Sequence, residues 1–556
     1  MKKIITAAFL IIAFCINAQL KVVNSITPTT DIRCTYYVNF INNKFYFQGS
    51  DPSVFSNGVE LFTSDSTQAG TSMVKDINTT SYGSSNPGKF TQLNSSTILF
   101  VATDNVVGRE LWKTDGTATG TSLVKDIYAG SGSGPFEHFI RMGSNVYFMA
   151  DDGANGRELW KSDGTTVGTQ LVKNINPSGN GMQPPVLMYS PYTAVLGSNL
   201  FFVASNGTTG FELYKTDGTT VGTSLVKDIE VGSNSSNPSN FIVVNGVLYF
   251  TCNTASDGNE LWKTDGTSVG TVLVKDFNLL MGSSSNPNYL VGLNNKLYFS
   301  AKVANKTTLC QSDGSAVGTT TLYASPLLNS DFCRLTKVDS SIYFFDVSAS
   351  TSPDYNLYKF NLPTNNTALI KSALYGGSSG PVTQPTKEKA VALNGMLYFT
   401  FDNYTNGDEL WQSDGTSAGT KLITDIAVGA TTSWIDNLMA INYGPNSRVY
   451  FTSGVKTGLL YITGDAVATN VSLLNKQFLN FYLHPNPAND LLKIELDKNE
   501  TAAKGLTITN VLGQVVFSKN NLDIYTELNV RNFTPGIYYI TILSGNKTST
   551  QKLIIN

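Results

Sequence analysis

One segment of about eighteen residues recurs nine times along this chain, at spacings of 48 to 54 residues. Its clearest copy is ELWKTDGTATGTSLVKDI, residues 110–127. Periods near this length are typical of arrays of small β units, because one unit cannot bury its apolar surface without neighbours. The repetition therefore predicts an architecture and says much less about chemistry. The nine copies begin at Glu60, Glu110, Glu158, Glu212, Glu260, Thr308, Asn356, Glu409 and Gly458.

Composition agrees with an ordered all-β protein. Of the 556 residues 41% are hydrophobic, which is enough for a packed core, and Gly, Asn, Ser and Thr fill the spaces between apolar runs. Only 14% are charged and the net charge is −3. A balance so close to neutral offers no basic surface for a phosphate backbone, so nucleic acid is not expected as a partner.

The N-terminus predicts export. Lys2 and Lys3 precede the apolar run 4–16, and Ala18 ends a small-residue cleavage site. We therefore assign residues 1–18 as a signal peptide for Sec-type export to the periplasm. No other stretch approaches the roughly 20 apolar residues of a spanning helix, so we expect no transmembrane segment.

Each unit predicts about four short strands, as seen in the fifth copy at 247–253, 260–266, 271–277 and 288–301. Triplets such as LYF (297–299) put large side chains on both faces of a strand, which indicates a sheet covered on both sides. The LVKDI block carries charges that suit an outermost strand. We predict that residues 19–477 form a β-propeller of eight or nine four-stranded blades. An extra LVKDI-like strand at 20–26 could join the two ends of the ring.

The segment Asp-Gly-Thr stands between two strands in five copies. Asp-Gly is a strong hairpin-turn signal, so we interpret these residues as structural turns. The alternatives are a repeated calcium loop or a ring of ligand-binding carboxylates, but one Asp per turn supplies few of the oxygens that calcium needs. No cofactor is predicted, with structural calcium as the alternative. The turn residues are Asp115, Gly116, Thr117, Asp163, Gly164, Asp217, Gly218, Asp265, Gly266, Asp414 and Gly415.

An aromatic position recurs two residues after the head of the repeated strand. Packing between neighbouring blades is the expected role, and a sugar-stacking surface is the alternative. The position holds Phe62, Trp112, Trp160, Tyr214, Trp262, Tyr358 and Trp411.

Catalytic signals are sparse. His138 and His484 lie far apart in the sequence and outside any nucleophile or metal motif. The recurring glutamates could supply the carboxylate pair of a glycosidase, but a catalytic acid is needed once, whereas a residue in five copies is usually scaffold. These glutamates are Glu110, Glu158, Glu212, Glu260 and Glu409.

Four cysteines remain after removal of the signal peptide. They are Cys34, Cys252, Cys310 and Cys333. Three disulfide pairings are allowed in an oxidising compartment, and buried free thiols are the other interpretation.

The copies ELWKTDGTATGT, ELWKSDGTTVGT, ELYKTDGTTVGT, ELWKTDGTSVGT and ELWQSDGTSAGT resemble the ELWxxDGT repeat family of exported bacterial proteins. The resemblance covers residues 33–475. It implies a repeated β scaffold at the cell exterior. The copies TLCQSDGSAVGT, NLYKFNLPTNNT and GLLYITGDAVAT depart from the pattern, so a binding site could lie there.

Residues 478–556 differ in character and predict six or seven strands in a small β-sandwich. They resemble the type A C-terminal sorting domain of the type IX secretion system, which implies recognition by its translocon and sorting machinery. The cargo would then be released or attached to surface lipopolysaccharide. We expect His484 to be a packing residue. The sorting motif comprises Pro485, Asn486, Pro487, Ala488, Leu512, Gly513, Gln514, Gly536, Ile537, Tyr538 and Lys552.

These patterns predict a secreted or outer-surface protein that acts as a non-enzymatic binding or adhesion scaffold, with an extracellular glycan or surface protein as ligand. The alternative is a secreted polysaccharide-active enzyme, a hydrolase or lyase, with a carboxylate site in the mouth of the propeller.

Overall fold

The computed structural model describes residues 20–22, 33–34, 38–51, 57–67, 70–182, 192–327, 330–348, 354–375, 390–402, 405–427, 429, 432–442, 447–453, 459–463, 481–496, 504–510, 515–520, 522–523, 525–544 and 547–555. Within these ranges every named element is a β-strand, so the all-β prediction is confirmed. The chain divides into two compact units, residues 1–466 and 467–556. The predicted signal peptide lies outside the described residues.

The described residues of the first unit form nine antiparallel sheets, and its first strand, β1 (Leu20–Val22), belongs to the ninth. The first sheet contains β2 (Arg33–Cys34), β3 (Asn39–Ile41), β4 (Lys44–Ser50), β5 (Glu60–Ser64) and β6 (Ser72–Lys75). The second contains β7 (Gly88–Gln92), β8 (Ile98–Asp104), β9 (Gly108–Thr114) and β10 (Ser122–Lys125). The third contains β11 (Pro135–Met142), β12 (Asn145–Asp151), β13 (Arg157–Ser162) and β14 (Gln170–Lys173).

The middle sheets repeat this plan. The fourth contains β15 (Thr193–Leu196), β16 (Asn199–Ala204), β17 (Glu212–Thr216) and β18 (Ser224–Lys227). The fifth contains β19 (Ser239–Val244), β20 (Val247–Thr254), β21 (Gly258–Thr264) and β22 (Val272–Lys275). The sixth contains β23 (Asn288–Leu293), β24 (Lys296–Val303), β25 (Lys306–Ser312) and β26 (Thr320–Ala324).

The last three sheets complete the unit. The seventh contains β27 (Asp331–Val338), β28 (Ser341–Val347), β29 (Asp354–Asn361) and β30 (Asn366–Tyr375). The eighth contains β31 (Ala390–Leu393), β32 (Met396–Asp402), β33 (Asp408–Ser413) and β34 (Lys421–Thr424). The ninth contains β35 (Ile435–Ile441), β36 (Arg448–Ser453) and β37 (Leu459–Thr463), followed by β1.

The sequence repeat is also a repeat of strand register. In the third sheet the second and third strands pair without interruption, and Phe148 lies opposite Trp160. The third and fourth strands pair with a register shift between Leu159 and Trp160. The same shift recurs at the equivalent positions of the fourth sheet. Each of the first eight copies of the motif therefore forms the third strand, the following turn and the fourth strand of one sheet, and the ninth copy forms the third strand β37 of the ninth sheet.

The core of the first unit lies between neighbouring sheets. Large side chains of one sheet pack with the second and third strands of the next, as where Leu99 and Leu111 of the second sheet meet Phe148 and Trp160 of the third. Such burial stabilises the fold by about 25 cal/mol for each Å² of apolar surface removed from water. Equivalent clusters lie between all the other pairs of consecutive sheets, from the first and second to the eighth and ninth.

Two contacts link the N-terminal part of the first unit to its ninth sheet. The N-terminal strand β1 pairs antiparallel with β37, so that Lys21 lies opposite Tyr461. The prediction of an extra strand at 20–26 is thereby confirmed for residues 20–22. In addition, Tyr450 of the ninth sheet packs with Phe45 of the first, at 4.5 Å between ring centroids, within a shared hydrophobic cluster.

The described part of the second unit forms two sheets that share a hydrophobic core. One sheet has the order β38 (Phe481–His484), β39 (Leu491–Leu496), β42 (Tyr525–Asn529). The other has the order β41 (Val515–Asn520), β40 (Lys504–Asn510), β43 (Gly536–Ser544), β44 (Lys547–Ile555). Leu492 and Ile494 from the first sheet share one hydrophobic cluster with Ile508 and Ile540 from the second. These seven strands within the described residues agree with the predicted six or seven.

Candidate functional site

The repeated Asp-Gly-Thr residues lie in the turns between the third and fourth strands. In the second sheet Asp115 Oδ1 accepts hydrogen bonds from the backbone N (2.8 Å) and Oγ1 (2.7 Å) of Thr117. The Thr117 hydroxyl in turn accepts from the Gly120 N at 3.0 Å. These bonds stabilise the ionised carboxylate and lower the pKa of Asp115. The same two bonds recur at Asp163, Asp217, Asp265 and Asp414.

The glycine of the turn is required for two reasons. Gly116 has a φ of +90°, which L side chains rarely adopt. A Cβ atom there would also lie 2.8 Å from the hydroxyl oxygen of Tyr46, on the preceding sheet. At Gly218 a Cβ would overlap the hydroxyl of Tyr147 in the same way. The repeated glycines therefore permit close packing between sheets.

Two lysines of the second, third and fourth copies reach the turn of the next sheet. Lys161 Nζ donates to the carbonyl oxygen of Gly218 at 2.8 Å, and Lys125 Nζ donates to that of Thr169 at 2.7 Å. Lys125 also lies over the Trp160 ring, 5.7 Å from its centroid. The sequence analysis interpreted the lysine of the LVKDI block only as a charge suited to an outermost strand and gave the other lysine no role, although both recur at fixed positions. In these copies the lysines join one sheet to the next.

The glutamates at the head of the repeated strands are buried. Glu110 accepts hydrogen bonds from the backbone N of Ile127 (2.8 Å), Tyr128 (3.3 Å) and Gly134 (3.0 Å). Its carboxylate therefore holds the segment that leads into the next sheet. Exposure is 0% at all six of these positions, Glu60, Glu110, Glu158, Glu212, Glu260 and Glu409. These glutamates are the candidate catalytic acids of the enzymatic alternative, and they are buried where their carboxylates accept hydrogen bonds from the backbone, as at Glu110.

Burial also changes the acidity of these glutamates. It disfavours the ionised form more than the hydrogen bonds favour it. The pKa rises to about 7 for Glu60, Glu110, Glu158 and Glu260.

The sixth and seventh copies replace this glutamate by Thr308 and Asn356. Asp346, opposite Asn356 on the neighbouring strand, is fully buried and accepts a hydrogen bond from the Ser325 hydroxyl at 2.6 Å. The acid that holds the link between the sixth and seventh sheets therefore comes from the following sheet. This substitution was not foreseen because the compensating residue lies outside the repeated motif.

The aromatic position packs in the core as predicted. Its side chains are at most 8% exposed, and they lie in the clusters between sheets. A sugar-stacking surface made of these rings is therefore wrong. The residues are Phe62, Trp112, Trp160, Tyr214, Trp262, Tyr358 and Trp411.

The described cysteine side chains do not form disulfides. Cys252, Cys310 and Cys333 are buried free thiols, and burial raises the pKa of Cys310 and Cys333 to about 12. The backbone of Cys34 lies in β2. Where the structure describes the chain, no three His, Cys, Asp or Glu side chains gather to hold a metal ion.

The two histidines lie in different units. His138 lies on β11, its ring 6.0 Å from that of Tyr192. His484 was expected to pack, and this is wrong, because its side chain is 54% exposed and lies 3.8 Å from the Glu495 carboxylate. His484 is the last residue of β38 and directly precedes the Pro-Asn-Pro segment, residues 485–487.

The sorting-motif residues at both ends of the second unit come together. The Ala488 backbone N donates to the Ile554 carbonyl at 2.8 Å, and the Ile554 N donates to the Asn486 side chain at 2.9 Å. Ala488 itself is fully buried in the core. The segment 485–488 is thereby fixed against the terminal strand β44, which contains Lys552.

The remaining motif residues have different surroundings. Gly536 begins β43, Ile537 is 41% exposed, and the Tyr538 hydroxyl donates to the Thr534 carbonyl at 2.8 Å. Leu512, Gly513 and Gln514 lie outside the described residues.

Comparison with known proteins assigns the second unit. Residues 482–556 match the family described as the secretion system C-terminal sorting domain. No curated protein matches the chain significantly. None of the described residues forms a helix long and apolar enough to cross a membrane.

Solved structures show weak similarity. PorZ, a surface component of the type-IX secretion system of Porphyromonas gingivalis, is 12% identical over 96% of this chain and 87% of its own, with a TM-score of 0.28. A puromycin-hydrolyzing peptidase of Mycobacterium tuberculosis is 11% identical over 65% of this chain and 57% of its own, with a TM-score of 0.34. These scores are too low to support a functional assignment.

The family match and the joined ends of the motif agree. Residues 482–556 are a secretion-system C-terminal sorting domain, which directs the protein to the cell surface or the extracellular space.

Proposed function

We propose that this chain is an exported, non-enzymatic binding or adhesion scaffold, delivered by the type IX secretion system. In this proposal residues 1–18 are the signal peptide, residues 19–477 form a closed nine-bladed β-propeller, and residues 478–556 are the sorting domain. The partners are the secretion translocon and sorting machinery, together with an extracellular glycan or surface protein. The resemblance of five of the copies to the ELWxxDGT repeat family supports the same location.

Closure of the ring is supported by the contacts between sheets. Consecutive sheets share hydrophobic clusters, and a further cluster joins the ninth sheet to the first. The pairing of β1 with β37 gives the ninth sheet a fourth strand from the opposite end of the sequence. A linear array would instead need two capped ends.

One observation carries the non-enzymatic role. The repeated polar residues bind the scaffold itself: the aspartates bind their own turns, the lysines bind the next sheet, and the glutamates bind the links. A general acid and a nucleophile both need access to a substrate. The fully buried glutamates do not have it.

Export is tested by deletion of residues 478–556, with expression in a bacterium that has a type IX system. The full chain should reach the cell surface or medium, and the truncated chain should accumulate in the periplasm. A Tyr525→Ala variant is a matched control, since Tyr525 is 61% exposed in the same domain. Undiminished secretion of the truncated chain would refute the sorting role.

The scaffold role is tested by a binding screen against glycans and surface proteins, run beside a hydrolysis screen on polysaccharides. Binding without turnover is expected. Clear depolymerisation by the purified chain would overturn the proposal in favour of the enzymatic alternative.

A further inference from the structure

The interface between the sixth and seventh sheets differs from the regular interfaces. At a regular interface, such as that between the third and fourth sheets, the turn of the following sheet lies against a tyrosine and a lysine of the preceding one. Gly218 there approaches the Tyr147 hydroxyl and accepts a hydrogen bond from Lys161. The turn thereby fills the space beside the preceding sheet.

Two sequence changes, one in the sixth copy and one in the seventh, leave the space between these two sheets without the usual turn and lysine. Seven residues, 313–319, separate the third and fourth strands of the sixth sheet, but four, 362–365, separate those of the seventh. In the sixth copy Gln311 also stands where the regular copies have the lysine that reaches forward. Its amide nitrogen donates to Thr320 of its own sheet, at 3.2 Å, rather than to the next turn.

The shortened turn leaves an open groove of about 540 Å³. The side chains of Asn294, Lys296 and Gln311 line it from the sixth sheet, and Asn365 lines it from the seventh. Tyr298 and Phe360 lie at its floor, with 6.5 Å between their ring centroids. Among the described residues that line the groove, none carries a carboxylate.

This lining favours a particular ligand chemistry. Each amide offers both donors and an acceptor, and the lysine offers donors only. Ligand sites commonly combine an apolar floor with a few polar groups that fix orientation. Hydroxyl groups, which both donate and accept, match three amides around one groove. Asn294 and Asn365 have positive φ values of 50° and 51°, and both are exposed in tight turns.

We propose that this groove binds a saccharide unit of an extracellular glycan. The inference rests on the proposed scaffold function and gives it a site and a ligand class. The regular copies bind neighbouring sheets through the positions that are altered here. Departure from the repeat therefore creates the binding site at this interface.

The test compares the mature full chain with two variants on an array of neutral and uronic-acid-containing saccharides. Asn294→Gly combined with Gln311→Ala removes two amides from the groove. Asn245→Gly is the matched control, because Asn245 occupies the equivalent turn of the fifth sheet with the same φ of 50°. Glycine accepts this conformation without strain. Thermal unfolding should show that all three proteins fold alike.

We expect the double variant to lose at least about tenfold in affinity, since each lost hydrogen bond weakens binding measurably, whereas the control should bind as the wild type. If the double variant binds as tightly as the wild type, the groove is not the saccharide-binding site, and the proposed scaffold function still stands. Equal weakening in the control would also overturn the groove as the binding site. Binding to a surface protein but to no saccharide would overturn the ligand class, and failure to bind any partner would overturn the proposed function itself.

Discussion

Replacement of a turn glycine by alanine tests whether close contact between sheets determines the repeated sequence. Gly314, in the turn of the sixth sheet, has a φ of +90°. A Cβ atom at this position would lie 2.5 Å from the Tyr249 hydroxyl oxygen of the fifth sheet and 3.4 Å from the ring carbon that carries it. Gly314→Ala therefore adds both backbone strain and a steric overlap.

The two costs can be separated with a control. Gly232 has a φ of +97°, and no atom lies within 4 Å of its Cβ position. Alanine in this backbone region costs about 1–2 kcal/mol at either position. Overpacking adds about 1–3 kcal/mol at Gly314 alone. We expect Gly232→Ala to lower the free energy of unfolding by about 1–2 kcal/mol and Gly314→Ala by about 2–5 kcal/mol.

The partner substitution Tyr249→Phe should rescue Gly314→Ala. Without the hydroxyl, the nearest remaining tyrosine atom is the ring carbon at 3.4 Å, an ordinary contact distance. Urea unfolding of the wild type, the two single variants and the double variant, followed by tryptophan fluorescence, gives the coupling energy. All five tryptophans lie within residues 1–466, so the signal reports the repeat unit. Equal losses at Gly314 and Gly232, or no rescue by phenylalanine, would refute the reasoning.

Three further results are expected. Glu110→Ala leaves the backbone N–H groups of Ile127 and Tyr128 without their acceptor and removes one of two acceptors of the Gly134 N–H, which also donates to the Arg109 carbonyl. This variant should destabilise the repeat unit by about 2 kcal/mol or more, whereas Glu110→Gln keeps one acceptor and should cost less. Equal losses in urea unfolding would contradict this. Burial raises the pKa of four glutamates to about 7, above the value in the unfolded chain. Between those two pKa values the folded chain binds more protons than the unfolded chain, so the unfolding temperature should fall as the pH rises from about 5 to about 8. A rise measured by calorimetry over this range would contradict the prediction. Tyr538→Phe removes a hydrogen bond to the Thr534 carbonyl and should destabilise the sorting domain by about 1 kcal/mol. The loss is measured as reduced protection of the domain's backbone amides from hydrogen exchange. Unchanged protection would show that this hydrogen bond does not stabilise the domain.

The sequence predicted the strands because their apolar runs and turn residues repeat with little variation. The turn at Asp115 and the burial of Trp112 follow from local chemistry, since Asp-Gly favours one turn type and a large ring requires a core position. The extra strand at 20–22 was recognisable because it copies the fourth-strand pattern.

What the sequence did not reveal depends on contacts between copies. The bond from Lys161 to Gly218 joins residues 57 positions apart, and a motif read within one copy does not show it. The role of Asp346 and the groove beside Gln311 arise where two irregular copies meet, so each requires the spatial arrangement of both. His484 was misassigned because its place in the sorting-domain resemblance does not show that its side chain is 54% exposed.

Closure of the ring by the N-terminal strand is the central structural claim, and an engineered disulfide tests it most directly. Lys21→Cys combined with Tyr461→Cys places two thiols at opposed positions of β1 and β37. Under mild oxidation we expect a crosslink within one molecule, which shifts electrophoretic mobility reversibly and survives dilution. Lys21→Cys combined with Thr463→Cys, out of register in the same strand, is the control and should crosslink poorly. No crosslink in the paired variant, or a crosslink only between molecules, would contradict the closed ring.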